Sequence, residues 1–133
     1  MLGNGRQPAS DVAPAATVLV VDDDPFMLEA LACMLEDASY AVERAAGGAE
    51  ALARVGRRPA PALVVLDLMM PDVTGWDVLA ELSGASSGAP PVVVVSAMGV
   101  DALADAEGFG ARAALPKPVR VAALLGAVAR ALA

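Results

Sequence analysis

The chain has 133 residues, 57% hydrophobic, 19% charged and only 3% aromatic, with a formal net charge of −7. One domain is the natural count, general disorder is excluded, and the acidic balance argues against nucleic acid as a direct ligand, because phosphate binding needs Lys and Arg clusters. The absence of histidine removes His-ligated zinc and Ser-His-Asp triads, and the lone Cys33 leaves no internal disulfide or Cys-based metal cluster.

Residues 1–16 are Gly, Pro, Ala and polar residues without periodicity, which reads as a flexible N-terminal tail before a domain over 17–133. Residues 17–21 form a β-branched run ending in Asp22-Asp23-Asp24-Pro25. Met27, Leu28, Leu31, Met34 and Leu35 then fall at helical spacing, with Asp24 as N-cap and Pro25 in the first turn. Cys33 is assigned to the apolar side of this helix as an inert core residue. Residues 40–44 read as a short strand and 48–55 as a helix ended by Gly56 and Pro59. Arg54, Arg57 and Arg58 are expected to be a solvated helix end.

Residues 62–67 (ALVVLD) are a fully apolar strand that stops at a carboxylate, followed by a loop at Met70-Pro71-Asp72 and a helix over 75–82. Residues 91–96 (PVVVVS) are another buried strand, ending at a hydroxyl. A weak helix over 101–107, a strand over 111–115 and a last helix marked by Val121, Leu124, Leu125, Val128 and Leu132 complete the chain. Continuous apolar strands alternating with helices specify a parallel sheet covered on both faces, a doubly wound (βα)5 α/β fold. No apolar run reaches the ~20 residues of a membrane span, and no signal-peptide pattern opens the chain. A cytoplasmic protein without membrane insertion is expected.

Ligands of such sheets bind at the carboxyl ends of the strands. The first strand ends at Asp22 and Asp23, the third at Asp67 and the fourth at Ser96, and the fifth leads to Lys117, the one lysine beside eight arginines. Three crowded carboxylates repel unless a cation joins them, and hard oxygen donors favour Mg²⁺. Mg²⁺ in turn suits a phosphoryl substrate, for which a carboxylate can be the nucleophile while an ammonium and a hydroxyl hold phosphate oxygens. Taken singly, each residue has an ordinary role: a turn or cap for the aspartates and the serine, a solvated charge for the lysine. Trp76 and the methionines read as packing residues, with Met69 and Met70 lining or shielding the site.

VLVVDDDP at 18–25, LVVLDLMMPDVTGWDVL at 63–79, VVVVSA at 92–97 and LPKP at 115–118 together resemble a response-regulator receiver (CheY-like) domain over about residues 17–132. The resemblance implies a flavodoxin-like five-stranded sheet of order 2-1-3-4-5. It implies Asp67 as phosphoacceptor, Asp23 as a direct Mg²⁺ ligand, Asp22 in the metal shell through water, and the Met69 backbone carbonyl as a further ligand. Ser96 would hydrogen-bond a phosphate oxygen, Lys117 would pair with the phosphate, and the Lys117–Pro118 bond would be cis.

The implied activity is a signalling switch rather than a conventional enzyme: the domain catalyses its own phosphorylation and dephosphorylation. The donor would be a sensor histidine kinase or phosphotransfer protein, and the output an unidentified downstream protein target. No output segment follows residue 133, so signalling is expected to run through protein contact unless the chain is a piece of something longer. The resemblance also allows a homodimer through the fourth helix, fifth strand and fifth helix.

One departure stands out. Receivers usually carry an aromatic residue three positions before the lysine, where this chain has Ala114. That residue favours an alternative, a phosphorylation-independent interaction module, whereas the intact Asp23, Asp67, Ser96 and Lys117 set disfavours it. A phosphatase-like hydrolase lacks its second acid, since Met69 stands two residues after Asp67, and a nucleotide-binding reading lacks a P-loop.

Overall fold

Short β-branched strands and amphipathic helices alternate along the whole described chain. The computed structural model describes residues 16–84 and 88–133. The order is β1 (Thr17–Val21), α1 (Pro25–Asp37), β2 (Ala41–Ala45), α2 (Gly48–Val55), β3 (Leu63–Asp67), α3 (Gly75–Gly84), β4 (Val92–Ser96), α4 (Val100–Gly108), β5 (Ala113–Pro116) and α5 (Val121–Leu132). All strand pairs are parallel, in the order β2-β1-β3-β4-β5, as expected for the doubly wound fold. The expected tail lies outside the described residues except for Ala16, whose carbonyl accepts from the Ala41 N–H at the start of the sheet.

The period of two along each central strand divides the core. Leu19, Val21, Val64, Leu66, Val92 and Val94 face one side with α2, α3 and α4. Val18, Val20, Leu63, Val65, Val93 and Val95 face the other with α1 and α5. With so few aromatics, aliphatic side chains and alanines fill both layers. Each buried Val or Leu contributes about 1.5–3 kcal/mol by leaving water.

Asp24 caps α1 as the sequence suggests, accepting from the Phe26 N–H at 2.9 Å with Pro25 in the first turn. Cys33 departs from expectation, because it is exposed rather than core. Leu31, Ala32 and Leu35 form the buried stripe of α1. Cys33 follows Leu31 by two residues, about 200° around the helix, and so points outward, with its sulfur 3.9 Å from Glu29. Arg54 also differs from a solvated helix end. Its guanidinium pairs with Glu43 of β2 and donates to the carbonyls of Arg57 and Pro59. Arg57 and Arg58 are exposed.

Candidate functional site

Strand register alone brings the polar residues together. Val21 pairs with Leu66, so the next residues, Asp22 and Asp67, stand side by side at the carboxyl ends of β1 and β3. Asp67 pairs with Val95, which sets Ser96 one step further along β4. Ser96 pairs with Pro116, so Lys117 follows at the same rim. The five side chains expected from the sequence therefore gather at one edge of the sheet.

Burial is unequal within the group. Asp22, Asp67 and Ser96 are buried, Lys117 is half-buried and Asp23 is exposed. Lys117 Nζ lies 2.9 Å from Asp22 Oδ2 and 3.5 Å from Asp67 Oδ1. Asp22 Oδ1 accepts from the Asp24 N–H at 3.0 Å, and Asp67 Oδ1 accepts from the Met69 N–H at 3.3 Å. Asp67 Oδ2 takes no hydrogen bond among the described residues. The Ser96 hydroxyl accepts from the Met98 N–H at 3.1 Å, and its own proton remains free to donate. The Lys117–Pro118 peptide is cis, as the resemblance implied, and Arg58–Pro59 is cis as well.

The electrostatics follow from this crowding. Burial, and then the neighbouring Asp22 charge, push the Asp67 carboxyl above its ordinary range, against the opposing pull of Lys117 and the Met69 N–H. Burial alone would lower Lys117. The hydrogen bond and charge of Asp22, followed by those of Asp67, outweigh it and hold the ammonium above its ordinary value.

Oxygens of Asp22, Asp23 and Asp67 lie within 4.8 Å of one another, the donor set of a hard divalent cation. Lys117 supplies one positive charge against three carboxylates, so the cluster has a charge deficit that such a cation would correct. The residues present therefore fit a metal ion.

Two supporting features were not drawn from the sequence. A Cβ at Gly75 would stand 2.1 Å from the Asp67 carbonyl oxygen and 2.5 Å from Leu68 Cα, so only glycine lets α3 start directly against the end of β3. Thr74 and Asp77 cap α3 reciprocally, the Thr74 N–H donating to Asp77 Oδ2 at 2.9 Å and the Asp77 N–H to Thr74 Oγ1 at 3.2 Å. The T-x-x-D spacing before an apolar run is the signal that could have found this cap. Of the two methionines after Asp67, Met70 is buried in the core and Met69 is exposed.

A hollow of about 490 Å³ lies apart from these groups, lined in part by Leu52, Val55, Arg58 and Glu81. None of the gathered residues lines it.

The chain matches the response regulator receiver domain family over residues 18–129. It is 45% identical over 80 residues to the transcriptional regulatory protein KdpE of Mycobacterium tuberculosis, covering 60% of this chain and 34% of that protein. It is 35% identical over 117 residues to the transcriptional regulatory protein GlrR of Escherichia coli, covering 88% of this chain and 26% of that protein. The chain thus spans about a third or less of these two relatives.

Among solved structures, a CheY-like response regulator receiver domain protein from Methanospirillum hungatei superposes with a TM-score of 0.79 at 28% identity, covering 89% of this chain and 94% of that one. A receiver domain protein from Clostridium thermocellum gives 0.81 at 28% identity, covering 88% and 94%.

Proposed function

The chain belongs to the response regulator receiver domain family, the phosphoacceptor domains of two-component signalling, and from that premise we propose that Asp67 is the carboxylate that takes the phosphoryl group. The observation that carries the assignment is the asymmetry of its two oxygens. Lys117 and the Met69 N–H hold Oδ1, whereas Oδ2 is left without a hydrogen bond among the described residues. A fixed carboxylate with one free oxygen is oriented for attack.

Oδ2 bonds to phosphorus while the donor's P–N bond breaks. The electron pair leaves with the donor's imidazole, which takes up a proton. Lys117 and the Ser96 hydroxyl, whose proton is uncommitted, receive the phosphate oxygens. Water later cleaves the acyl phosphate, returning the carboxylate and inorganic phosphate.

Asp22, Asp23, Asp67 and the Met69 carbonyl would hold Mg²⁺, with Asp22 acting through water. When bound, the ion neutralises phosphate oxygens as charge moves between donor and acceptor. The set of hard oxygens, and the charge that Lys117 leaves uncorrected, support that choice over a softer metal.

Receiver domains exchange signals with histidine kinases and downstream effectors. For this chain the donor would be a histidine kinase or phosphotransfer protein in the cytoplasm, and the output a protein contact. Among the described residues no helix is long and apolar enough to cross a membrane. The relatives are named as transcriptional regulators, yet with a net charge of −7 we place any nucleic-acid contact outside this domain. Ala114, partly buried against the α2–α4 side of the core, favours a second reading in which partners bind without phosphorylation.

Intact-mass analysis after incubation with Mg²⁺ and acetyl phosphate tests the first reading. It expects one phosphoryl mass, lost with a chelator and in Asp67→Asn. A mass gain that persists in Asp67→Asn would overturn the assignment.

A further inference from the structure

The charge on this chain is segregated. From Pro59 to Ala111 there is no lysine or arginine. The same stretch carries six exposed carboxylates, on Asp72, Asp77, Glu81, Asp101, Asp105 and Glu107. None of these six joins a salt bridge among the described residues. Asp72 and Glu81 border hollows on the α2 side, Glu81 together with Arg58, so the uncompensated charge of the face built by α3 and α4 is that of Asp101, Asp105 and Glu107 on α4.

The same face carries most of the large apolar surface left open by the fold. Met69 is 57% exposed, Phe109 62% and Val100 79%. A groove of about 390 Å³ is lined by Met69, Met70, Trp76 and Met98 among others. The groove is extended by Phe109, whose ring meets Trp76 edge-on with centroids 5.9 Å apart. The Ser83 hydroxyl donates to the Phe109 carbonyl at 2.7 Å and fixes the end of α4 against α3. Asp101 and Asp105 precede Phe109 by eight and four residues, the spacing that sets side chains along one helix row. Two carboxylates thus lie on the row of α4 that leads to Phe109.

Methionines offer a polarizable surface that adapts to different apolar side chains, and exposed aromatics commonly anchor interfaces. An acidic border repels anionic lipid and nucleic acid and attracts cationic side chains. We propose that the α3–α4 groove docks an amphipathic basic segment of a partner protein, its apolar residues seated on Met69, Trp76, Met98 and Phe109 and its Lys or Arg residues facing Asp101 and Asp105. This inference does not depend on phosphoryl transfer at Asp67. Occupants of other kinds make different demands. A second copy would have to bring its own arginines to the groove, and a membrane surface would have to be cationic.

Trp76 is the one tryptophan of the chain and lines the groove, so its emission reports occupancy directly. The probe is a tryptophan-free amphipathic helical peptide of leucine and lysine, with a matched leucine–glutamate peptide as control. The expected result is a saturable shift of Trp76 emission with the lysine peptide only, with affinity falling as salt rises. Phe109→Ser and the Asp101→Lys/Asp105→Lys double variant should each weaken binding by about tenfold or more, since about 1.4 kcal/mol corresponds to that factor. Asp37→Lys, a charge reversal at the end of α1, should leave affinity within about twofold.

Four results would overturn the proposal: no saturable shift, an equal response to the glutamate peptide, an equal loss in Asp37→Lys, or peptide affinity unchanged in both groove variants. Self-association abolished by Phe109→Ser, with no peptide binding, would assign the groove to a second copy and equally reject it. Circular dichroism of each variant separates loss of binding from loss of fold.

Discussion

Two basic side chains in this molecule each stand between two carboxylates, and they stand in opposite surroundings. Arg44 lies 2.8 Å from Glu29 and 3.2 Å from Glu36 on the outside of α1 and β2, with 33% of its side chain exposed. Lys117 lies 2.9 Å from Asp22 and 3.5 Å from Asp67, with Asp22 fully buried and Asp67 nearly so. The charge arithmetic is the same, one cation against two anions. Water and salt screen the excess charge around Arg44. Around Lys117 that excess is held in low dielectric beside a third carboxylate, Asp23. The exposed cluster ties two elements together, whereas the buried one creates a demand for a further cation and for a group that Lys117 can accompany.

The largest expected effect comes from removing the buried cation. Lys117→Ala leaves Asp22 and Asp67 facing each other and should lower metal-free stability by about 3 kcal/mol, the scale of a broken buried pair. Urea denaturation measures it. In the Lys117→Ala/Asp67→Asn double variant much of that loss should return, and additive losses would break the comparison.

Gly75→Ala follows. A Cβ there meets the Asp67 carbonyl oxygen at 2.1 Å, so α3 must shift away from the end of β3. A loss of about 1–3 kcal/mol is expected, the usual cost of forced overpacking, with weakened Mg²⁺-dependent stabilisation in thermal melts.

The third effect depends on pH. Burial and Asp22 raise the Asp67 carboxyl above its ordinary value of 3.8. The folded state therefore holds that proton more tightly than the unfolded chain. Its stabilising contribution is fully present below the ordinary value and is lost as pH rises through the raised one. Without metal, Asp67→Asn should gain stability relative to the wild type over that window and hold the gain at neutral pH. Saturating Mg²⁺ should shrink or reverse the difference, because the ion stabilises only the folded carboxylate cluster.

The smallest effect sharpens the contrast from the other side. Arg44→Ala should cost no more than about 1 kcal/mol, the range of exposed ion pairs, and less at high salt. It should leave phosphoryl uptake and Mg²⁺ binding unchanged.

Much of this arrangement was legible in the sequence. Residues 63–67 and 92–96 are uninterrupted apolar runs that end in Asp67 and Ser96, and buried parallel strands leave that signature. Boundaries were less legible where alanine blurs the pattern. The last strand was expected over 111–115 but is Ala113–Pro116, because Ala111 still closes the turn after α4, donating its N–H to the Ala106 carbonyl at 3.0 Å. Gly110 in that turn has a φ of +112°, a conformation open to glycine.

The side-chain identities of the site were readable because each ends or follows a strand. Their partners were not, because the preference of Lys117 for Asp22 over Asp67 depends on side-chain reach across the rim. The outward turn of Cys33 was a matter of helix angle. The Trp76–Phe109 contact joins a residue of α3 to the turn that follows α4, and no local period announces such a pairing.

The central claim is that Asp67, and no other carboxylate of this acidic rim, carries the phosphoryl group. Borohydride reduces an acyl phosphate to an alcohol, which converts a phosphorylated aspartate to homoserine. Treatment after phosphorylation, followed by peptide mapping, should find homoserine at position 67 alone. Homoserine at 22 or 23, or at 67 without prior phosphorylation, would contradict the account.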